Sequence, residues 1–496
     1  MNDEKEALFS RFFFPKTIAV IGVSTKGDSF GTLYLRSLLK FGFKGKVYPV
    51  NPRGGSLFDL PVYPSLEDIS DSIDLAVVSV PERFVAGVLE ECIAKGIQTA
   101  IVLSAGFSES GEEGERLERG LKSVIAKRIR IVGPNCHGIY CPRSGQTVLP
   151  GSDFPKEAGP IALVTQSGQF AEMIVLQSRG LGIRYSKVIS FGNALDLNEA
   201  DFVEYLAEDP DTRIINVYVE GVKQGRRFLE VVRRTSKVKP VLIWKVGLTE
   251  TGSRAASSHT GSLAGDEAVW NTFFAQTGAV RIESIDDLID TTTAFRLLPQ
   301  GCGRRVALII GSGGGAVIGS DACERAGLEM PILSPEVQES ISVFLPRTNV
   351  RNPVDLSEPV PPAKVLRPIL EAVAASEEID VIILGRMFLS VKGPGLVLGY
   401  SKSFEKGREE LKDIPLTILK KYGKPIIMVL SEEVTDVEMI GFEADRRELR
   451  NYYLDQGIPV YPTLERAVKS LGHFAEYQQR FHPPNLSPAS DSEGLK

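Results

Sequence analysis

Three times along this chain a short apolar run ends in a turn that carries glycine or serine and gives way to a helical pattern. No other feature constrains the fold as much. Thr17 to Gly22 runs into the loop Gly22 to Gly31 and the helical stretch Leu33 to Phe41. Pro160 to Thr165 runs into Gln166, Ser167, Gly168 and Gln169, with a helical pattern through Gln177. Arg305 to Ile310 runs into Gly311 to Gly315 and a helical pattern from Ala316 to Ala326. A strand, tight turn and helix in this order open a βαβ unit, in which the free amides of a helix start meet an anion. The second and third copies form an internal repeat: a shift of 145 residues carries Ser167 onto Ser312, Gly168 onto Gly313, Ala171 onto Ala316 and Gly182 onto Gly327. A chain of 496 residues is too long for one ordinary core. The expected class is α/β, with three Rossmann-like or flavodoxin-like parallel-sheet domains at 1–147, 155–298 and 302–476 and a polar, proline-rich, disordered tail at 480–496.

Composition excludes several function classes. A net charge of -6 without a dominant basic block argues against a nucleic-acid surface. No apolar run approaches the roughly 20 residues of a spanning helix, and MNDEKEALFSR opens with charges of both signs rather than a signal peptide. Five cysteines in so long a chain do not make a disulfide framework, which suits a reducing cytoplasm. Cys136, His137 and Cys141 lack a second ligand pair, so they are read as loop thiols and their neighbour, and no metal is expected.

The candidate binding residues stand at the ends of the apolar runs, where parallel sheets hold ligands. In the first segment these are Gly22, Val23 and Ser24, then Asn51, Pro52 and Arg53, Val80 and Pro81, Ala105 and Gly106, and Asn135. The glycines do not fall at G-x-G-x-x-G, and no G-K-[ST] follows. That disfavours an NADP-dependent oxidoreductase, although Arg53 suits a ribose carrying a phosphate, as in NADP or coenzyme A. Gln166, Ser167 and Gly168 look like a phosphate seat, and Ser167 equally serves as a plain N-cap. Glu220 ends the run Ile214 to Val219 beside Gly221. Lys245 is either a further anion contact or a surface lysine, and the surface reading is preferred. His259, one of four histidines, lies in TETGSRAASSHTGSLAG, Thr249 to Gly265, a run that reads as a mobile loop.

In series, VIGVS, VYPVNP, VPERF, SAGFSE and GPNCHG resemble the coenzyme A binding domain of the NDP-forming acyl-CoA synthetases, relatives of succinyl-CoA synthetase. SSHTGSLAG, the VEG ending at Gly221 and the turn Asn352-Pro353-Val354-Asp355 match the same family, over about residues 10 to 475. The resemblance is closest to the three-domain alpha subunit of ADP-forming, acetate-type synthetases. It implies coenzyme A at the first set of sites. It also implies a phosphohistidine at His259 oriented by Glu220, and a phosphate held between helix starts at Gln166, Ser167, Gly168 and at Ser312, Gly313, Gly314. The reaction implied is acyl-CoA + ADP + phosphate ⇌ carboxylic acid + ATP + CoA. No segment is left for an ATP-grasp domain, so a separate ATP-grasp beta subunit holding ADP or ATP with Mg is implied, in a cytoplasmic hetero-oligomer. Residues 385–423 match no family motif. The alternative reading is a non-catalytic coenzyme A sensor or scaffold of the same fold.

Overall fold

The first apolar runs form a parallel sheet because they are buried on both faces: every residue of Leu75–Val78 and Thr99–Val102 is out of solvent, so helices must cover both sides. This is seen in a computed structural model that describes residues 3–126, 128–148, 151, 153–260, 266–357, 361–385, 410–431 and 440–483, with the backbone alone at 256–260 and 442. In chain order the strands are β1 (Thr17–Ile21), β2 (Lys46–Val50), β3 (Gly55–Leu57), β4 (Leu60–Val62), β5 (Leu75–Val78), β6 (Thr99–Val102) and β7 (Arg130–Val132). Their sheet order is β2-β1-β5-β6-β7, all parallel, with β3 and β4 forming a separate hairpin.

A second sheet contains β8 (Gly138–Tyr140), β9 (Ile161–Thr165), β10 (Tyr185–Ser190), β11 (Ile214–Val219), β12 (Val241–Lys245) and β13 (Val280–Ile282). The order is β13-β12-β11-β9-β10-β8, parallel except for β8, which runs antiparallel to β10. A third sheet has β14 (Val306–Ile310), β15 (Val354–Asp355), β16 (Val381–Gly385), β17 (Ile426–Val429) and β18 (Val460–Tyr461) in the order β15-β14-β16-β17-β18, all parallel. The described strands are taken up entirely by these three sheets and the hairpin.

All three sheets share one winding. Leaving aside the antiparallel edge strand β8, the first strand of each lies between the second and the third: β1 between β2 and β5, β9 between β10 and β11, β14 between β15 and β16. Winding therefore reverses at the carboxyl end of β1, β9 and β14, which opens a crevice there. Those ends carry Gly22, Gln166 and Gly311. The internal repeat extends to backbone detail. Ser167 and Ser312 each cap the following helix, accepting from the amides of Phe170 and Gly315, and Gly182 and Gly327 both take φ of +68°. Only a residue without a β-carbon adopts that left-handed turn freely.

The chain divides into two compact units, Met1–Leu288 and Ile289–Lys496. Within the first, two sheets share one apolar core. Helix Asp3–Phe13 ties them together: Phe9 stacks on Tyr205 with ring centroids 4.5 Å apart and meets Phe202 edge-on at 6.0 Å. Such pairs add about 0.5–1.5 kcal/mol each beyond the area they bury. Arg130, on β7, forks onto Asp196 at 2.9 Å across the same junction. The second unit has its own core, in which Val306, Leu308, Ile383 and Ile427 of the third sheet join Ala294, Leu298 and helix Leu464–Phe481. The tail 480–496 falls outside the described residues beyond 483, and so does 386–409 of the unmatched stretch, within which Ile414–Tyr422 is a helix. Among the described residues no helix is long and apolar enough to cross a membrane, and no group of His, Cys, Asp and Glu is arranged to hold a metal.

Candidate active site

At the crevice of the first sheet is a cavity of about 620 Å³, lined by Gly22, Val23, Ser24, Asn51, Pro52, Val80 and Pro81 among others. Its floor is built by close backbone approach. A β-carbon on Gly22 (φ +98°) would lie 2.0 Å from the Ser79 carbonyl oxygen, and one on Gly31 would lie 2.8 Å from the Gly22 carbonyl oxygen. These two glycines fit strand to strand and helix to loop, as the dinucleotide fingerprint does at a different spacing. Asn51 fastens the wall: its Nδ2 donates to the Val23 carbonyl at 2.6 Å and its Oδ1 accepts from the Arg53 amide at 2.9 Å.

Other expected positions are not in the cavity wall. Arg53 is exposed and does not line it, whereas Arg83 and Phe84, at the start of helix Glu82–Ala94, do. The VPERF stretch carried that arginine in the sequence without singling it out. Ala105, Gly106 and Asn135 also lie outside the lining. The amides of Gly106 and Phe107 are already bound by Glu109 Oε1 at 2.6 and 3.1 Å, which leaves them nothing to offer a ligand. Asn135, at φ +56°, donates its amide to the Ser104 carbonyl at 2.8 Å and its Nδ2 to Asn193 Oδ1 at 3.3 Å, so it joins the first sheet to the second.

The second crevice brings Gln166, Ser167, Gly168 and Glu220 together. Gln166 Oε1 accepts from the amides of Glu220 and Gly221 at 2.8 and 3.2 Å, locking the end of β9 to the end of β11. At the start of helix Gly168–Arg179, Ser167 binds the amide of Phe170 through Oγ and that of Ala171 through its carbonyl. Among the described residues the amides of Gly168 and Gln169 have no partner, as a helix start that seats an anion requires. Glu220, 7% exposed, accepts from the Tyr218 hydroxyl at 3.2 Å. Beneath it Phe170, Tyr218 and Trp244 form an aromatic cluster with centroids 4.7 to 5.2 Å apart.

Lys245 is not a surface lysine. It is 5% exposed, donates to the carbonyls of Glu220 (2.9 Å) and Val246, and lies 5.3 Å from the Trp270 ring centroid. Burial pulls its pKa down to about 8 against the opposing pull of Glu220. The other departure is His137. The segment Gly133 to Gly138 crosses from β7 to β8, and a β-carbon on Gly168 would fall 2.2 Å from Cδ2 of the His137 ring. His137 donates its amide to Ser190 Oγ at 3.0 Å, while its Nδ1 is buried without a partner among the described residues. Cys136 and Cys141 are buried, the first with its thiol against the Val102 carbonyl.

The segment expected as a mobile loop is a helix, Glu250–Thr260, with His259 in its last turn. Thr249 starts it, its Oγ1 accepting from the Gly252 amide at 3.1 Å, and Glu250 pairs with Arg254 one turn on at 2.9 Å. Alanines at 255 and 256 favour the helix enough to outweigh the serines. The side chain of His259 and residues 261–265 lie outside the described residues. In the third sheet the helix Gly313–Arg325 begins at Ser312, Gly313 and Gly314, and a β-carbon on Gly313 would meet Asp355 Oδ2 at 3.4 Å. Asn352, in the turn before it, is structural: its Nδ2 donates to the carbonyls of Val306 and Pro331 and its Oδ1 accepts from Leu308.

Three family models cover most of the chain: a CoA binding domain at 16–142, a succinyl-CoA ligase like flavodoxin domain at 158–295 and a ligase-CoA domain at 306–480. The chain is 36% identical over 479 residues to the alpha subunit of ADP-forming acetate–CoA ligase I of Pyrococcus furiosus, covering 94% of this chain and 96% of that one. The chain belongs to the ADP-forming acetate–CoA ligase family. These ligases also include acetate–CoA ligase (ADP-forming) II of Archaeoglobus fulgidus, 36% identical over 94% of this chain, of which the present chain spans 67%. Among solved structures, the dinucleotide forming acetyl-coenzyme A synthetase 1 of Ca. Korarchaeum cryptofilum, in complex with phosphate and ADP, matches with a TM-score of 0.80 at 29% identity, covering 98% of both chains.

Proposed function

We propose that this chain is the alpha-type component of an ADP-forming acyl-CoA synthetase, catalysing acyl-CoA + ADP + phosphate ⇌ carboxylic acid + ATP + CoA through a phosphohistidine. The observation that carries the reading is the pairing of two crevices in one compact unit. The glycine-built cavity at Gly22 and Asn51 suits coenzyme A, and the Gly168 helix start, its first amides unpaired among the described residues and its turn tied to Glu220 through Gln166, suits phosphate. The near full-length match to a P. furiosus alpha subunit supports a separate nucleotide-binding partner of ATP-grasp type, which would bring ADP or ATP with Mg.

The chemistry asked of the residues is modest. Phosphate seated on the helix start attacks the thioester carbonyl carbon; the C–S bond breaks, the phosphate proton ends on the sulfur, and an acyl phosphate forms. A ring nitrogen of His259 then attacks phosphorus, the P–O bond to the acyl group breaks, and the carboxylate leaves. The other ring nitrogen donates to Glu220, which holds the tautomer and balances the charge that develops. Positioning and electrostatics dominate phosphoryl transfer, and preorganised amides supply both. Ser312, Gly313 and Gly314 offer a second helix start for the phosphoryl group.

Incubating the chain with acetyl-CoA and inorganic phosphate tests the first half. Phosphate-dependent release of CoA thiol is expected. Tight CoA binding with no thiol release, alone or with a nucleotide-binding partner, would instead support a non-catalytic CoA sensor.

A further inference from the structure

A second histidine of this unit, His137, lies on the crossing from β7 to β8, against the helix start of the second crevice. The Cδ2–Nε2 edge of His137 faces Gly168, the first residue of the helix whose amides are left for an anion: a β-carbon there would be 2.2 Å from Cδ2 and 2.6 Å from Nε2. Any other residue at 168 would push the ring away. His137 reaches this place on the segment that also carries Asn135, whose left-handed turn is held to Ser104 and Asn193. Its ring is thus held by the crossing between the two sheets, independently of the helix it faces.

The ring's other side sets its protonation. Nδ1 is buried and unpartnered among the described residues. An unpaired N–H in the interior is rarer and more costly than an unpaired acceptor, so the proton belongs on Nε2. Burial lowers the pKa of His137 from its ordinary value, which keeps the imidazole neutral at pH 7. A neutral ring with Nε2–H turned to a helix start is a hydrogen-bond donor that adds no charge.

We propose that His137 is a further substrate contact of the phosphate seat, donating from Nε2 to an oxygen of the phosphate held at Gly168. This rests on the phosphate seat of the proposed function and assigns a role to a residue outside the Glu220 and His259 pair. The contrast with the third sheet is direct, since the corresponding helix start there faces the carboxylate of Asp355.

Inorganic phosphate titrated into the full chain in the presence of CoA, followed by calorimetry, tests it in wild type, His137→Leu and His137→Gln. Leucine fills the space without a donor, and glutamine restores an N–H near the Nε2 position. A hydrogen bond to a charged group predicts that His137→Leu weakens phosphate binding about tenfold to a hundredfold. His137→Gln should stay within about threefold of wild type, and CoA affinity should be unchanged in both. Phosphate binding by His137→Leu equal to wild type, or equal losses in the leucine and glutamine variants with CoA affinity intact, overturns the proposal alone. Wild-type protein that binds CoA but no phosphate removes the seat itself, and with it this contact.

Discussion

Replacing Gly168 with alanine measures how closely the crossing segment is fitted to the helix start. The new β-carbon would fall 2.2, 2.4 and 2.6 Å from Cδ2, Cγ and Nε2 of His137, where carbon atoms normally pack at about 3.5–4.0 Å. The ring or the helix must then move by more than about 1 Å, and overpacking of this kind costs about 1–3 kcal/mol. Without the clash the substitution gains up to about 1 kcal/mol, because alanine loses less backbone freedom than glycine in a helix. The sign of the effect therefore depends on the ring. Urea unfolding of wild type, Gly168→Ala, His137→Ala and the double variant forms a cycle. Gly168→Ala is expected to destabilise the wild type and to be neutral or stabilising in the His137→Ala background, a coupling of at least about 1 kcal/mol. Additive effects to within about 0.5 kcal/mol would show that the contact does not exist in solution.

Gly22→Ala places a β-carbon 2.0 Å from the Ser79 carbonyl at a φ of +98°. It should weaken CoA binding at least about tenfold by calorimetry, and wild-type affinity would refute the cavity as the CoA site. Lys245→Met keeps the buried stem but loses the donors to the Glu220 and Val246 carbonyls. Phosphate-dependent thiol release should fall about tenfold with CoA affinity unchanged, and an unaltered rate would make the lysine merely structural. Glu199 is buried with Oε1 unpartnered among the described residues, and burial pushes its carboxyl up to about 7. Between the ordinary carboxylate value and about 7 the folded chain keeps a proton that the unfolded chain has released, so stability falls as pH rises through that window, by on the order of 3 kcal/mol in all. Glu199→Gln should remove that slope and be the more stable form at pH 8, and an identical slope in denaturation curves from pH 5 to 8 would contradict it.

The strands and helix starts were legible because they depend on local chemistry. Ser167 and Ser312 cap their helices, Gly182 and Gly327 share one backbone angle, and the apolar runs are strands buried on both faces. What escaped was set by neighbours far along the chain. Lys245 looks like a strand-end surface cation, yet its acceptors include the carbonyl of Glu220, just past the end of the adjacent strand. Arg53 looked like the cavity's cation, but its turn closes on Asn51 and the cavity is lined by Arg83 instead. His137 was overshadowed by the two cysteines around it, and only the approach of Gly168, 31 positions on, gives it meaning. The helix Glu250–Thr260 was masked by serine and glycine, whose weak propensities hid the Thr249 start and the Glu250–Arg254 pair.

In the proposed function an imidazole of this chain carries the phosphoryl group between a thioester site and a nucleotide bound elsewhere. Incubation with γ-labelled ATP and a purified ATP-grasp partner subunit tests it most directly. Acid-labile, base-stable label is expected on the wild-type chain, with none on His259→Ala and loss of the label on adding carboxylic acid and CoA. Equal label on wild type and His259→Ala would contradict it.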